Sequence, residues 1–334
     1  MVRFLFFRLL QSLAVLWIVY TLTFALLMLA PGDPFITSDK RPTETIRRAL
    51  AQRYGLDYLA QGESFAKLPL PRRVYYYAKA YGRYLGRACC GDFGPSIQFE
   101  NFSVGEIIGS SLPVSLALGS VALLLALWAG VLAGTLGALH RNRLPDLALS
   151  AITLLGVSLP TFVIGSLLIM AFVVGVPLMP SGGWGSTGGA HGFLVGLMRL
   201  ILPAITLALF FLAFIARLTR SSTLDVLSAD FVRTARAKGL PPRVVISRHV
   251  GANAALPILS YLGPAAANIL VGSFVVERLF VIPGLGTHFV NGCINKDIPL
   301  VLGAVLVYSA LVIFFNLLVD VAYAMVDPRI RIAE

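Results

Sequence analysis

Residues 112–139 read LPVSLALGSVALLLALWAGVLAGTLGAL, a run without a single Asp, Glu, Lys, Arg or His. A helix of about 20 such residues, at 1.5 Å each, crosses roughly 30 Å of hydrocarbon, so this stretch predicts a membrane-spanning helix. Working outward, similar runs lie at 9–30, 147–175, 200–217, 258–277 and 300–326, which gives about six spans. The whole chain fits that reading: of 334 residues, 57% are hydrophobic and 13% charged, against roughly 25% charged in soluble domains. The fold class expected is an all-α integral membrane protein.

The net charge of +11 would point to nucleic acid in a soluble protein. Here the basic residues fall in connections between apolar runs, where retention of Lys and Arg on the cytoplasmic side accounts for them. No basic and aromatic module of a nucleic-acid binder is present. Arg3 and Arg8, Arg141 and Arg143, the cluster from Arg217 to Arg248, and Arg329 and Arg331 lie on one side. Both termini are therefore expected in the cytoplasm, with an uncleaved first helix. The 31–103 segment is basic too, but loops beyond about 60 residues cross regardless of charge. It reads as a small extracytoplasmic subdomain with helical stretches near 43–54 and 71–87. Thus 1–30 forms the N-terminal end and first span, 31–103 the subdomain, 104–326 the membrane core with a cytoplasmic loop at 218–257, and 327–334 a cytoplasmic tail.

Apart from Asp320, no acid or base falls well inside a span, so nothing advertises the intramembrane charge of a proton relay or ion-coupled carrier. Asn316 and Asp320, four apart, read as polar glue between helices. Gly and Pro punctuate the spans and permit close helix packing. Cys89, Cys90 and Cys293 have neither metal-ligand spacing nor an even disulfide framework, and all three are expected on the outer side. His140, His191, His249 and His288 lack ligand-like neighbours, so no metal site and no catalytic residue is assigned.

The 225–239 stretch, Asp225 to Gly239, reads as one short helix with acids early, bases late and Gly239 at the left-handed cap. Pro241 and Pro242 can open a second helix, from Arg243 to Ala255. A basic helix-turn-helix results, with Ala235, Ala237 and Gly239 small enough for close approach. It suits docking into a partner's groove, or lying on anionic lipid. Glu277-Arg278, followed by Pro283-Gly284-Leu285-Gly286, reads either as an interfacial charge pair or as a gate using Glu277, Pro283, Gly284 and Gly286.

Arg233-Thr234-Ala235-Arg236-Ala237-Lys238-Gly239, followed by Arg248-His249 and Asn253-Ala254-Ala255-Leu256-Pro257, resembles the coupling loop of binding-protein-dependent ABC importer permeases of the peptide and nickel branch. The resemblance extends through Arg8, Ala30-Pro31-Gly32-Asp33-Pro34, Gly91-Asp92-Phe93-Gly94-Pro95-Ser96, Pro180-Ser181-Gly182-Gly183-Trp184, Pro283-Gly284-Leu285-Gly286 and Asp327-Pro328-Arg329-Ile330-Arg331. It covers nearly the whole chain and is nearest the B-type subunit of oligopeptide permeases. Departures are Ala252, where that branch often has a base, and an outer loop extended around 58–70.

The resemblance implies a type I importer permease in a bacterial-type inner membrane, not itself an enzyme. It implies coupling through Arg233, Thr234, Ala235, Arg236, Ala237, Lys238 and Gly239. The implied partners are a second permease subunit in a heterodimer, two cytoplasmic ATPase subunits, an extracytoplasmic solute-binding protein and membrane lipid, with no nucleic acid. The chain lacks a Gly-x-x-x-x-Gly-Lys-Ser/Thr phosphate loop, so ATP and Mg are expected on partner subunits and no cofactor on this chain. Oligopeptides are the substrate implied; dipeptides, nickel chelates and glycosides use the same machinery. From other classes, a secondary transporter would work without an ATPase, and an intramembrane protease would need a mid-span His that the sequence does not supply.

Overall fold

Long apolar runs become long helices, and the placement of Pro decides where they stop or bend. The computed structural model describes residues 2–30, 35, 43–56, 68–99, 101–185, 189–270 and 274–326. Among these the structure is helical, with one isolated antiparallel bridge between Pro95 and Ser103. The described helices α1 (Val2–Leu29), α4 (Val104–Leu139), α7 (Gly189–Leu227) and α13 (Ile298–Val326) contain the segments long and apolar enough to cross a membrane. A fifth candidate is α5 (Leu144–Ser158) with α6 (Thr161–Ile169) and the π-helical turn Met170–Gly175, bent by 111°. Pro160 explains the bend: the residue before a proline is driven out of the helical region, and Leu159 has ψ 134°. The sixth expected span, 258–277, is helical as α10 (Ala252–Leu270), but Pro257, Pro264, Asn253 and Asn268 dilute its apolar character. Residues 271–273 lie outside the described residues.

The chain forms two compact units. The first comprises residues 1–113 and 284–310. Here α1 meets α2 (Glu44–Tyr54), α3 (Leu70–Cys89) and the start of α13, in a core of Tyr20, Phe24, Tyr54, Ala80, Tyr84, Ile298 and Leu302. Tyrosine rings fill this core while their hydroxyls reach backbone carbonyls. Tyr20 donates to the Tyr81 carbonyl at 2.9 Å, Tyr84 to that of Tyr54 at 2.5 Å and Tyr54 to that of Ser96 at 3.2 Å. A second cluster joins Val104, Ile107 and Ile108 of α4 to Leu285 of α12 (Leu285–Ile294) and Leu300 and Ala304 of α13.

Asp297 organises this unit. Fully buried, it accepts from Ser96 Oγ, from the Ile97 and Gln98 backbone N–H groups at 3.0 Å each, and from Leu300 N–H at 3.2 Å. The last of these bonds caps α13, since an N-cap carboxylate satisfies an otherwise unpaired first-turn donor. Cys89, Cys90 and Cys293 are free and exposed.

The second unit comprises residues 114–283 and 311–334. Leu118, Ala122 and Ala126, four apart on α4, form one buried stripe against Leu200, Ala204, Leu207, Ala208 and Ile215 of α7 and Ile258 and Ile269 of α10. Small residues let the backbones close up: a Cβ on Gly134 would collide with the Ala216 carbonyl. The side chain of Asp320 and the segments 31–34, 57–67 and 327–334 lie outside the described residues.

Candidate functional site

The 217–257 connection is more helical than its sequence predicts. The apolar run ends near Arg217, yet α7 continues to Leu227, so Arg217 and Arg220 stand on the helix. The single helix expected over 225–239 is split. Asp225 belongs to the end of α7. Ser228 and Ala229 then make a tight turn, with N–H groups donating to Asp225 and Val226 carbonyls at 3.3 and 3.1 Å, before α8 (Asp230–Ala237). Both sides of the turn send apolar residues to one place: Val226 and Leu227 pack against Val232, Ala235, Val245 and Val250.

After α8 the chain reverses at Gly239, whose φ is +77°. Gly239 N–H donates to the Arg236 carbonyl at 3.0 Å and Leu240 N–H to that of Ala235 at 3.3 Å. This pair of hydrogen bonds is the Schellman cap, which needs a left-handed conformation that glycine adopts without strain. Then α9 (Pro242–Val244), a π-helical turn Val245–Gly251 and α10 carry the chain back. The π turn replaces the simple second helix expected from Arg243 to Ala255.

Arg233, Thr234, Arg236, Ala237, Lys238 and Gly239 all lie on the exposed side of this elbow. Ala235 does not: it is buried in the elbow's own core and holds α8 in place rather than offering close approach. Phe231 is an exposed aromatic on the same helix. Arg233 stands 3.5 Å from Asp230, an exposed pair that contributes little to stability. The elbow presents cations, one aromatic ring and a small-residue corner on a frame fixed from within.

The other candidate residues separate. Glu277 lies in α11 (Phe274–Leu279) with 0% exposure, and Ser115 Oγ donates to its Oε1 at 2.7 Å. Arg278, next in the chain, is exposed. Pro283 belongs with Glu277 to the second unit, whereas Gly284 and Gly286 belong to the first, where Gly284 precedes α12 and Gly286 is buried. The turn after α11 is fixed by Ile282 N–H donating to the Glu277 carbonyl at 2.8 Å and Gly183 N–H to that of Phe280 at 2.8 Å. The 180–184 stretch therefore docks beside Glu277.

Sequence reasoning missed a second polar constellation. Arg220 Nε and Nη2 donate to Asp146 Oδ1 and Oδ2 at 2.6 and 2.7 Å. The only signal was Asp146 following Pro145 in a first helical turn. Among the described residues no group of three or more His, Cys, Asp or Glu is placed to hold a metal ion.

Residues 126–332 match the family described as "Binding-protein-dependent transport system inner membrane component". The chain belongs to that family. The elbow, Glu277 and the Asp146–Arg220 pair all fall inside the matched range. This family member is 40% identical over 331 residues to the oligopeptide transport system permease protein OppB of Salmonella typhimurium, covering 99% of this chain and 100% of the relative. OppB of Escherichia coli K12 matches at the same 40% and the same coverage. The dipeptide transport system permease protein DppB of Bacillus subtilis is 36% identical over 332 residues, covering 99% of each chain. Among solved structures, an inward-facing form of the MetNI methionine ABC transporter aligns with a TM-score of 0.49 at 19% identity, covering 66% of this chain and 96% of that one.

Proposed function

We propose that this inner-membrane component is one of two permease subunits of an ATP-driven importer of oligopeptides, moved by two ATPase subunits that dock on its cytoplasmic elbow. The observation that carries the reading is the elbow itself. An internally packed corner, with Arg233, Arg236, Lys238 and the left-handed Gly239 turned outward, suits a socket on another chain. Oligopeptides are favoured because OppB matches over its full length at 40% identity. DppB at 36% supports dipeptides as a second reading.

On this reading both termini and the elbow are cytoplasmic, and an extracytoplasmic solute-binding protein delivers the peptide. ATP and Mg sit on the ATPase subunits and no cofactor sits on this chain. Arg233, Thr234, Arg236, Ala237, Lys238 and Gly239 make the docking face, supported from beneath by Ala235. Closure of the ATPases pushes that face and switches the helices between outward-open and inward-open states by rigid-body movement. Buried Glu277 forms the outer gate with Pro283, both in the second unit.

Gly239 supplies the test. A Cβ at this position meets nothing within 4 Å in this chain, so G239A costs only left-handed strain, about 1–3 kcal/mol, while G239V adds bulk toward the socket. Peptide uptake by the reconstituted assembly should fall about fivefold for G239A and further for G239V, with both variants inserted normally in the membrane. Full uptake by G239V would sink the docking assignment. Uptake of dipeptides alone by the parent assembly would replace the oligopeptide reading.

A further inference from the structure

We propose that Asp146 and Arg220 are positioning residues, forming the joint through which movement of the elbow reaches α5 and α6. The inference rests on the docking of α8 put forward above.

The pair ties together three pieces of chain. Arg220 stands on α7, Asp146 opens α5, and Asn142 N–H, in the α4–α5 turn, donates to Asp146 Oδ2 at 2.8 Å. Two parallel bonds from one guanidinium fix orientation as well as separation. The Asp146 carboxylate, with the residue 2% exposed, has little room to exchange partners with solvent.

On the input side, α7 is a continuous helix from Arg220 to Leu227. The seven helical rises between them cover about 10 Å, and Val226 and Leu227 are packed into the elbow's apolar cluster. A push on α8 therefore arrives at the guanidinium without crossing a loop. On the output side, α5 leads through the Pro160 corner into α6. There Gly165 lies against Thr206 of α7 and against Leu279 and Phe280, at the end of the helix that carries Glu277.

What makes the pair a joint rather than an ornament is the seam beside it. At the far end of α5, Gly156 lies against Leu209 and Ala213. Along the seam, from Ala213 to Arg220, runs a half-open groove of about 320 Å³ whose lining includes Leu149, Ser150, Thr153 and Arg217. Packing is looser along this groove than at Gly156, and the ion pair adds a directional tie to the packing of α5 on α7. With the Arg220 side chain one-third exposed, the net stability from the pair is small, because desolvation of Asp146 and solvent screening offset the attraction. Its contribution is a defined geometry.

The test uses the complete reconstituted transporter and reads peptide imported per ATP hydrolysed. D146N and R220Q should each lower that ratio about tenfold, and R220K, which keeps the charge but not the two-pronged grip, should fall between them and the parent. A purely structural role would reduce import and hydrolysis together, so a ratio at the parental value overturns the proposal. If neither single variant assembles, D146N/R220Q leaves no uncompensated buried charge and its ratio decides in the same way. Cross-linking from K238C to the ATPase subunits reads docking separately. Its absence in the otherwise unaltered complex overturns the docking reading, whereas cross-linking with an unchanged ratio overturns this proposal alone.

Discussion

Val281 is β-branched, largely exposed, and held at φ +54°. For such a side chain the left-handed region is an outlier that costs about 1–3 kcal/mol. The bonds at Glu277 and Phe280 carbonyls on either side impose it. V281G should therefore raise the thermal midpoint of the detergent-solubilised protein, by about 1 kcal/mol of stability; a lowered midpoint would mean that the valine side chain contributes more than the strain removes. Nothing in the sequence announces this strain. Glu277 was equally hard to place, because an acid just past an apolar run reads as an interfacial charge. Its burial depends on Ser115, 162 positions away, and no local pattern encodes so distant a donor.

At the scale of elements, α4 and α13 are legible because each needs only an unbroken apolar run. The end of α7 is not: beyond Arg217 the run turns amphipathic, and the helix persists because Val226 and Leu227 have a pocket to fill. The acid-early, base-late order of 225–239 fits one helix as well as two, so the split at Ser228 and Ala229 becomes readable only when Val232 is seen turning into that same pocket. The Gly239 cap, by contrast, is a local matter and could be read directly. Asp297 shows the converse case, a cap with a second role. D297A would strand the Ile97 and Gln98 N–H donors, at about 1–3 kcal/mol each, and remove the α13 cap, worth about 1 kcal/mol. Chymotrypsin cleavage after Phe93 and Phe99 should accelerate in this variant. Unchanged protection would mean that other contacts hold the 91–99 stretch.

For the molecule as a whole, charge bias between apolar runs yields an orientation that labelling can check. The proposed orientation, with both termini cytoplasmic, places exposed Cys89, Cys90 and Cys293 outside and the elbow inside. A membrane-impermeant maleimide should modify the native cysteines in intact spheroplasts. In a variant with those three changed to Ser, K238C should react only in inside-out vesicles; reaction of K238C from outside would reverse the topology. The expectation comes from Lys and Arg, which the short connections sort to one side. The sequence does not convey the division into two units, because each unit is assembled from stretches far apart in the chain.

That division has a bearing on biogenesis. Residues 1–113 group with 284–310 in one compact unit, and Ser96 meets Asp297 across 201 positions. At about 5–20 residues per second, a ribosome needs roughly 10–40 s to supply the missing piece. Throughout that interval the tyrosine-lined core of the nascent chain lacks Ile298 and Leu302, and a message truncated before codon 284 yields a product whose face stays unfinished.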